Sequence, residues 1–197
     1  MIDITLLSDV IERCREHGHK MAKKLDEKKD IGNVRSAALS SHGAEKDPVL
    51  LGRSKMAECV FCQWRGIDIN KLNWTAIPDK GFDVVWRSIR VDVKHSSHDD
   101  PRYCIWPINK TSLFDSRQFD IIVHVFGIEP TLTLQGWITK PDFRRWRKIA
   151  KNTFGLADGT RYVDTERLEP IETLEQFVLI HRPRAISGVV NASEHQR

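Results

Sequence analysis

The run FDIIVHVFGI, Phe119 to Ile128, is near-continuously apolar. A strand with one wet face alternates apolar and polar residues; a strand covered on both faces reads like this one. It therefore asks for a sheet with structure packed on both sides. The stretch after it, TLTLQGWIT (Thr131–Thr139), does alternate, and the Glu129-Pro130 pair between them is a turn signal. RYCIWPI (Arg102–Ile108) reads as a further short strand.

Helical patterns flank these strands. Ile4 to Leu25 is expected as a helix, with Ile4, Leu7, Ile11 and Cys14 in an apolar stripe and Val10 beside them. LLGRSKMAECVFCQWRG, from Leu50, places Ala57, Val60, Phe61 and Trp64 on one face, and Gly66 is its stop signal. KPDFRRWRKIAKN, with Pro141 near its start, reads as a basic helix, and ETLEQFVLIHR as a last short element. Positions 1–29 are thus an N-terminal helix, 30–49 a loop or linker rich in Gly, Ser, Asn and Pro, 50–180 the core with C-terminal additions, and 181–197 a frayed tail. The order predicts an α/β or α+β domain around a mixed sheet.

The chain has 197 residues, enough for one domain with decorations or at most two small ones. A net charge of +4 permits a polyanionic partner without demanding one. No apolar run approaches the roughly 20 residues of a membrane span. The N-terminus carries early acids and no small-residue cleavage site, unlike a signal peptide, so the expected address is cytoplasmic, with no membrane partner. The cysteines are Cys14, Cys59, Cys62 and Cys104. Cys59 and Cys62 have the CxxC spacing of zinc or redox sites, but no second CxxC or HxxxH follows. Buried free thiols are the expectation; an iron–sulfur cluster on the four is the other reading.

The most informative stretch is GFDVVWRSIRVDVKH, Gly81 to His95. Its alternation is strand-like, yet it carries Asp83, Asp92 and Lys94, and aspartate suits strands poorly. A hairpin turning at Arg87-Ser88 sets Trp86 opposite Ile89, Val84 opposite Val91 and Asp83 opposite Asp92. Opposed residues project from one face, and Lys94, two beyond Asp92, shares it. An odd-length loop would instead put the two aspartates on opposite faces, and Arg-Ser is not a favoured hairpin turn. Opposed like charges destabilise a sheet, so the pair calls for a neutralising partner. Mg²⁺ or Mn²⁺ suits hard oxygen ligands. The alternative is a solvent-facing hairpin with an incidental cluster bridged by a surface salt link, worth little.

Asp83 followed by Asp92-Val93-Lys94 resembles the core motif of the PD-(D/E)XK nuclease superfamily, with Glu58 on the preceding helix in the place of that family's helical glutamate. PDKGFD offers Asp79 as well as Asp83; the register favours Asp83. The resemblance covers about residues 50–140. It implies an α/β fold with a restriction-endonuclease-like mixed β-sheet flanked by helices, and makes 50–180 the nuclease core with its additions. It also implies divalent-metal-dependent hydrolysis of DNA phosphodiesters. Asp83, Asp92 and the Val93 carbonyl would hold Mg²⁺ (or Mn²⁺), with Glu58 binding directly or through water. Lys94 would orient the attacking water or offset charge on the phosphate. One metal or two, endonuclease or exonuclease of phage or bacterial type, remain open, and a homodimer accords with the paired sites common in that fold. Arg144, Arg145, Arg147, Lys148 and Lys151, with Phe143 and Trp146 interleaved, would contact DNA phosphates; alternatively they form a solvated face while Phe143, Trp146 and Ile149 pack on the sheet. The competing function is a catalytically inactive nucleic-acid-binding or assembly protein on the same fold.

Overall fold

The computed structural model describes residues 1–30, 47–75, 81–97, 101–106, 114–153, 156 and 158–181. Asp79, most of the expected loop and all but the first residue of the expected tail lie outside them. The chain opens with a strand, not a helix: β1 is Ile2–Thr5, and helix α1 runs Ser8–Asp30. Ile2 and Ile4 fit either period. Antiparallel pairing of Ile2 with Leu134 and of Ile4 with Leu132 decides for the strand, and Leu7, expected in the apolar stripe, is exposed.

Helix α2 is Pro48–Arg65. The Asp47 carboxylate accepts the Val49 N–H at its start, Pro48 opens its first turn, and Gly66 closes it in the left-handed region at φ 63°. Residues Lys55 to Cys62 are all buried, because α2 lies between α1 and the sheet. The two helices meet at Gly18 and Gly52. A Cβ on Gly18 would fall 2.1 Å from the Pro48 carbonyl oxygen and 2.7 Å from Gly52 N, so any side chain there would force the helices apart.

The main sheet contains β2 (Val84–Trp86), β3 (Ile89–Ser96), β5 (Ile121–Ile128) and β6 (Thr131–Thr139), in the order β1-β6-β5-β3-β2. It is mixed: β3 and β5 are parallel, the other neighbours antiparallel. A short β9 (Glu169–Pro170) pairs with β6 at Gly136, where a Cβ would stand 2.7 Å from the Glu169 carbonyl oxygen. The second sheet is three-stranded, β4 (Tyr103–Trp106), β8 (Arg161–Asp164) and β7 (Lys148–Ile149), in the order β4-β8-β7.

The apolar run at β5 is covered on both faces, as its composition predicts. Ile121, Val123 and Val125 join Val91 and Val93 in the core beneath α1 and α2. Ile122 faces the opposite side, in a second core with Cys104, Trp106, Phe114, Phe119, Ile138, Phe143 and Val163. The molecule is thus a mixed α/β fold, and each face of the sheet carries a different layer. Helix α4 (Leu174–His181) packs on the first core through Leu174 and Val178.

The basic segment departs from expectation. Helix α3 covers only Lys140–Trp146, capped by the Thr139 hydroxyl, which accepts the Asp142 N–H. Arg147 is extended, and Lys148 and Ile149 pair with Tyr162 and Arg161 in the second sheet. The i, i+3, i+6 spacing of Phe143, Trp146 and Ile149 suggested one long helix. Only Phe143 is buried, while Trp146 and Ile149 are 41% and 65% exposed, so that spacing is no packing stripe.

Among the described residues, no helix is long and apolar enough to cross a membrane.

Candidate metal-binding carboxylate site

The hairpin has the expected register: Val84 pairs with Val91, Val85 with Arg90 and Trp86 with Ile89. Arg87 and Ser88 form the two-residue turn at φ 48° and 70°. Positive φ at both positions is the geometry of a type I′ turn, whose twist matches that of the strands. The turn is braced from outside, since Arg87 Nη2 lies 2.8 Å from Glu175 Oε1 of α4 and Arg65 Nη1 lies 3.3 Å from Glu175 Oε2.

β2 stops at Val84, and Asp83 takes over its role. The Asp83 Oδ2 accepts the Val93 N–H at 2.6 Å. A residue's N–H and C=O point to the same edge of a strand, so the Val93 carbonyl also faces the Asp83 side of β3.

Asp92 is fully buried on the face opposite Val91 and Val93. Both of its oxygens are met by cationic groups. The Lys94 ammonium is in ion contact with Oδ2, and Arg117 Nη1 lies 3.7 Å from Oδ1. Burial works against the Lys94 ammonium, but Asp92 and Asp83 outweigh it and hold its pKa above the ordinary lysine value. Lys94 therefore stays a cation. Its Nζ also sits over the Trp106 ring, 4.4 Å from the centroid.

Asp83, Asp92 and Lys94 are therefore neighbours at one edge of the sheet. Glu58 is buried on α2, its Oε2 paired with Lys55 Nζ, on a helix that covers the opposite face from Asp92 and Lys94. Among the described residues, no three His, Cys, Asp or Glu side chains form a metal-holding group.

The basic residues are dispersed. Arg144 Nη2 pairs with Asp115 Oδ1 at 2.5 Å, and Lys148 Nζ with Asp164 Oδ2 at 2.5 Å. Arg147 has a buried Nη1 with no hydrogen-bond acceptor, while Lys151 is exposed. Arg145 lies over the Trp146 ring at 5.1 Å, with Arg167 over the same ring at 4.8 Å. These rings and guanidiniums line a cleft of about 520 Å³ along Trp137–Thr139 of β6, two strands from Asp92.

Sequence reasoning missed Arg117, Trp106 and His124. His124, beside Lys94 in the neighbouring strand, is buried with Nδ1 2.7 Å from Gln135 Oε1, and burial lowers its pKa to about 4. No local spacing signals any of the three.

All four cysteines are buried free thiols. Cys14 and Cys59 touch, Sγ to Sγ 3.7 Å, beneath the helices, while Cys104 lies in the core on the other side of the sheet. A cluster on all four is therefore ruled out.

Compared with family models, with curated proteins and with solved structures, the chain matches none.

Proposed function

We propose that the protein is a divalent-metal-dependent deoxyribonuclease of restriction-endonuclease-like fold, with its site at Asp83, Asp92, Val93 and Lys94. The observation that carries this reading is Asp92: a fully buried carboxylate with a second carboxylate and a lysine ammonium beside it. Buried charges are rare unless paired, and such clusters recur at functional sites.

The residues fit the ion that the resemblance implies. Mg²⁺ commonly takes one or two carboxylates and fills its other positions with water and substrate phosphate. Asp83 and Asp92 would supply the carboxylates, and the Val93 carbonyl faces the same edge. Glu58, paired with Lys55 on the helix that covers the other face of the sheet, stands apart from this pair. When bound, the ion supplies Lewis-acid polarisation of the phosphate and a bound water of lowered pKa. Lys94, kept protonated, donates to the phosphate as negative charge grows on it and is not suited to remove a proton. The Trp106 ring beneath it limits where the ammonium can point.

The cleft beside Trp146, with Arg145 and Arg167, suits a nucleic-acid strand: aromatic rings stack with bases and guanidiniums meet phosphates. Arg147 has an unused donor; Arg144 and Lys148 would have to leave Asp115 and Asp164 to contact DNA.

One observation favours the competing reading of a catalytically inactive nucleic-acid-binding protein. Lys94 and Arg117 already meet Asp92 with no ion. Incubation with single-stranded, duplex and branched DNA in Mg²⁺, Mn²⁺ or EDTA separates the two. Cleavage that needs the metal and disappears in Asp92→Ala supports the nuclease. DNA binding that ignores metal, with no cleavage on any substrate, supports the inactive binder.

A further inference from the structure

The guanidiniums of Arg147 and Arg161 lie together on one face of the second sheet. Arg161 of β8 pairs directly with Trp106 of β4 and, on its other side, with Ile149 of β7. Opposed residues share a face, so Arg161 projects beside Trp106. Arg147 stands two residues before Ile149 on extended backbone and reaches the same face. It lies over Phe114, 5.6 Å from the ring centroid, and Phe114 meets Trp106 edge-on at 4.9 Å. The two arginines are close enough that Arg161, after burial, helps to lower the pKa of Arg147.

Like charges side by side call for an anion. Each arginine has its Nη1 buried, and among the described residues no acceptor meets either atom. Buried donors are normally bonded. Asp115, the acid whose charge reaches Arg147, is taken by Arg144 Nη2 at 2.5 Å. Arg144, Arg147 and Arg161 therefore carry more positive charge than Asp115 offsets. Both unpaired arginines are only half-buried, so an anion can approach them. Two planar forks side by side suit a tetrahedral oxyanion, above all a phosphate.

Trp106 links this pair to the carboxylate site. Lys94 Nζ sits 4.4 Å from the centre of that ring, so one indole separates Lys94 from the arginines. We infer that Arg147 and Arg161 together bind one backbone phosphate of a nucleic-acid strand, a neighbour of the phosphate that Lys94 meets. Its place next to Lys94 rests on the nuclease reading; the anion pair itself does not.

The test is binding of the full chain to a fluorescein-labelled DNA duplex, followed by anisotropy over a range of NaCl. EDTA is present so that nothing is cut. The forms are wild type, Arg147→Gln, Arg161→Gln and the double variant. Each single variant should bind roughly tenfold more weakly. The double variant should be little weaker than either, because both side chains serve one phosphate. Its slope of log K against log salt should fall by about 0.9, the value of a single phosphate contact. Arg161→Lys keeps the charge without the fork and should recover part of the affinity. It is also the second form if the Gln variant unfolds, which thermal melting reports. Losses that simply add would put the arginines on separate phosphates and overturn the shared site. Inorganic phosphate is the other source of the same chemistry. If it raises the melting temperature of wild type and not of the double variant, while all forms bind DNA alike, the site takes a free anion and the inference is overturned. Variants with wild-type slope and affinity overturn it even if the wild type cleaves DNA in Mg²⁺. The expected losses, with no cleavage by wild type on any DNA, uphold the phosphate pair and overturn the nuclease. A wild type that does not bind DNA overturns the inference, and the nuclease with it if no cleavage follows in Mg²⁺.

Discussion

The Asp83 carboxylate accepts the backbone N–H of Val93 at 2.6 Å, standing where two more residues of β2 would have placed the Phe82 carbonyl. One side chain thus ends a strand and faces the candidate metal site. The two roles separate by substitution. Asp83→Asn keeps an acceptor for Val93 but loses the charge, so it should melt within a few degrees of wild type and lose metal-dependent cleavage. Asp83→Ala leaves a part-buried donor unpaired and should cost about 1–3 kcal/mol in urea unfolding as well. Equal loss of stability in both variants would remove the capping role.

Lys94 and Asp92 form a buried ion pair, which makes their single substitutions structural as well as functional. Breaking such a pair strands a charge and costs about 3–5 kcal/mol. Lys94→Ala should lie toward the lower end of that range, because Arg117 remains beside Asp92. Urea unfolding in EDTA measures the loss. Cleavage assays on this variant belong well below its midpoint, so that lost chemistry is not confused with lost fold. A Lys94→Ala protein as stable as wild type would contradict the buried pair.

The register of the hairpin was readable in the sequence because strand alternation has a fixed period and the aspartates and valines fall on opposite phases of it. The doubly covered strand and the stop at Gly66 were readable for similar local reasons. What escaped was decided at long range. Ile2 and Ile4 became a strand because β6 lies beside them. Lys148 and Ile149 left the basic helix because β8 offered pairing. Arg117 meets Asp92 from 25 positions away in the chain, and no periodicity records such a contact. The restriction-endonuclease-like topology and the role of Glu58 rest on the motif resemblance.

His124 should make the fold acid-sensitive. Its native pKa is about 4, lowered from 6.5 chiefly by burial. Between those values the unfolded chain binds a proton that the native chain refuses, so stability is complete above about pH 6.5 and falls as pH drops toward 4. The full shift corresponds to about 3 kcal/mol. Urea unfolding at pH 7, 6, 5 and 4 should show the decline, and His124→Asn, which does not titrate there, should make it shallower, the rest coming from His17, which burial likewise lowers to about 4. An unchanged slope in that variant would assign the acid loss elsewhere.

The thiols should be inert while the protein is folded. Burial is the main cause that raises Cys62 and Cys104 to a pKa of about 12, and Cys59, against Cys14, is raised as well. The thiolate is the reacting species, so iodoacetamide at pH 8 should leave all four unmodified in the native protein and alkylate all four in urea. Mass spectrometry counts the adducts. Rapid native alkylation at Cys59 or Cys62 would restore a redox or metal reading of that CxxC pair.

The turn at Arg87-Ser88 sets the register that brings Asp83 alongside β3, where its carboxylate meets the Val93 N–H. Both residues pay for that geometry with a positive φ, Ser88 at 70°. An L-residue with a Cβ is strained there and glycine is not. Arg87 has compensation, its guanidinium meeting Glu175 at 2.8 Å and lying 5.2 Å from the Trp86 ring centre. Ser88 is exposed, and relief at this position carries little loss. Ser88→Gly should therefore stabilise the protein by about 1 kcal/mol, with the metal-dependent activity unchanged. A destabilised Ser88→Gly would mean that the turn is not the I′ type.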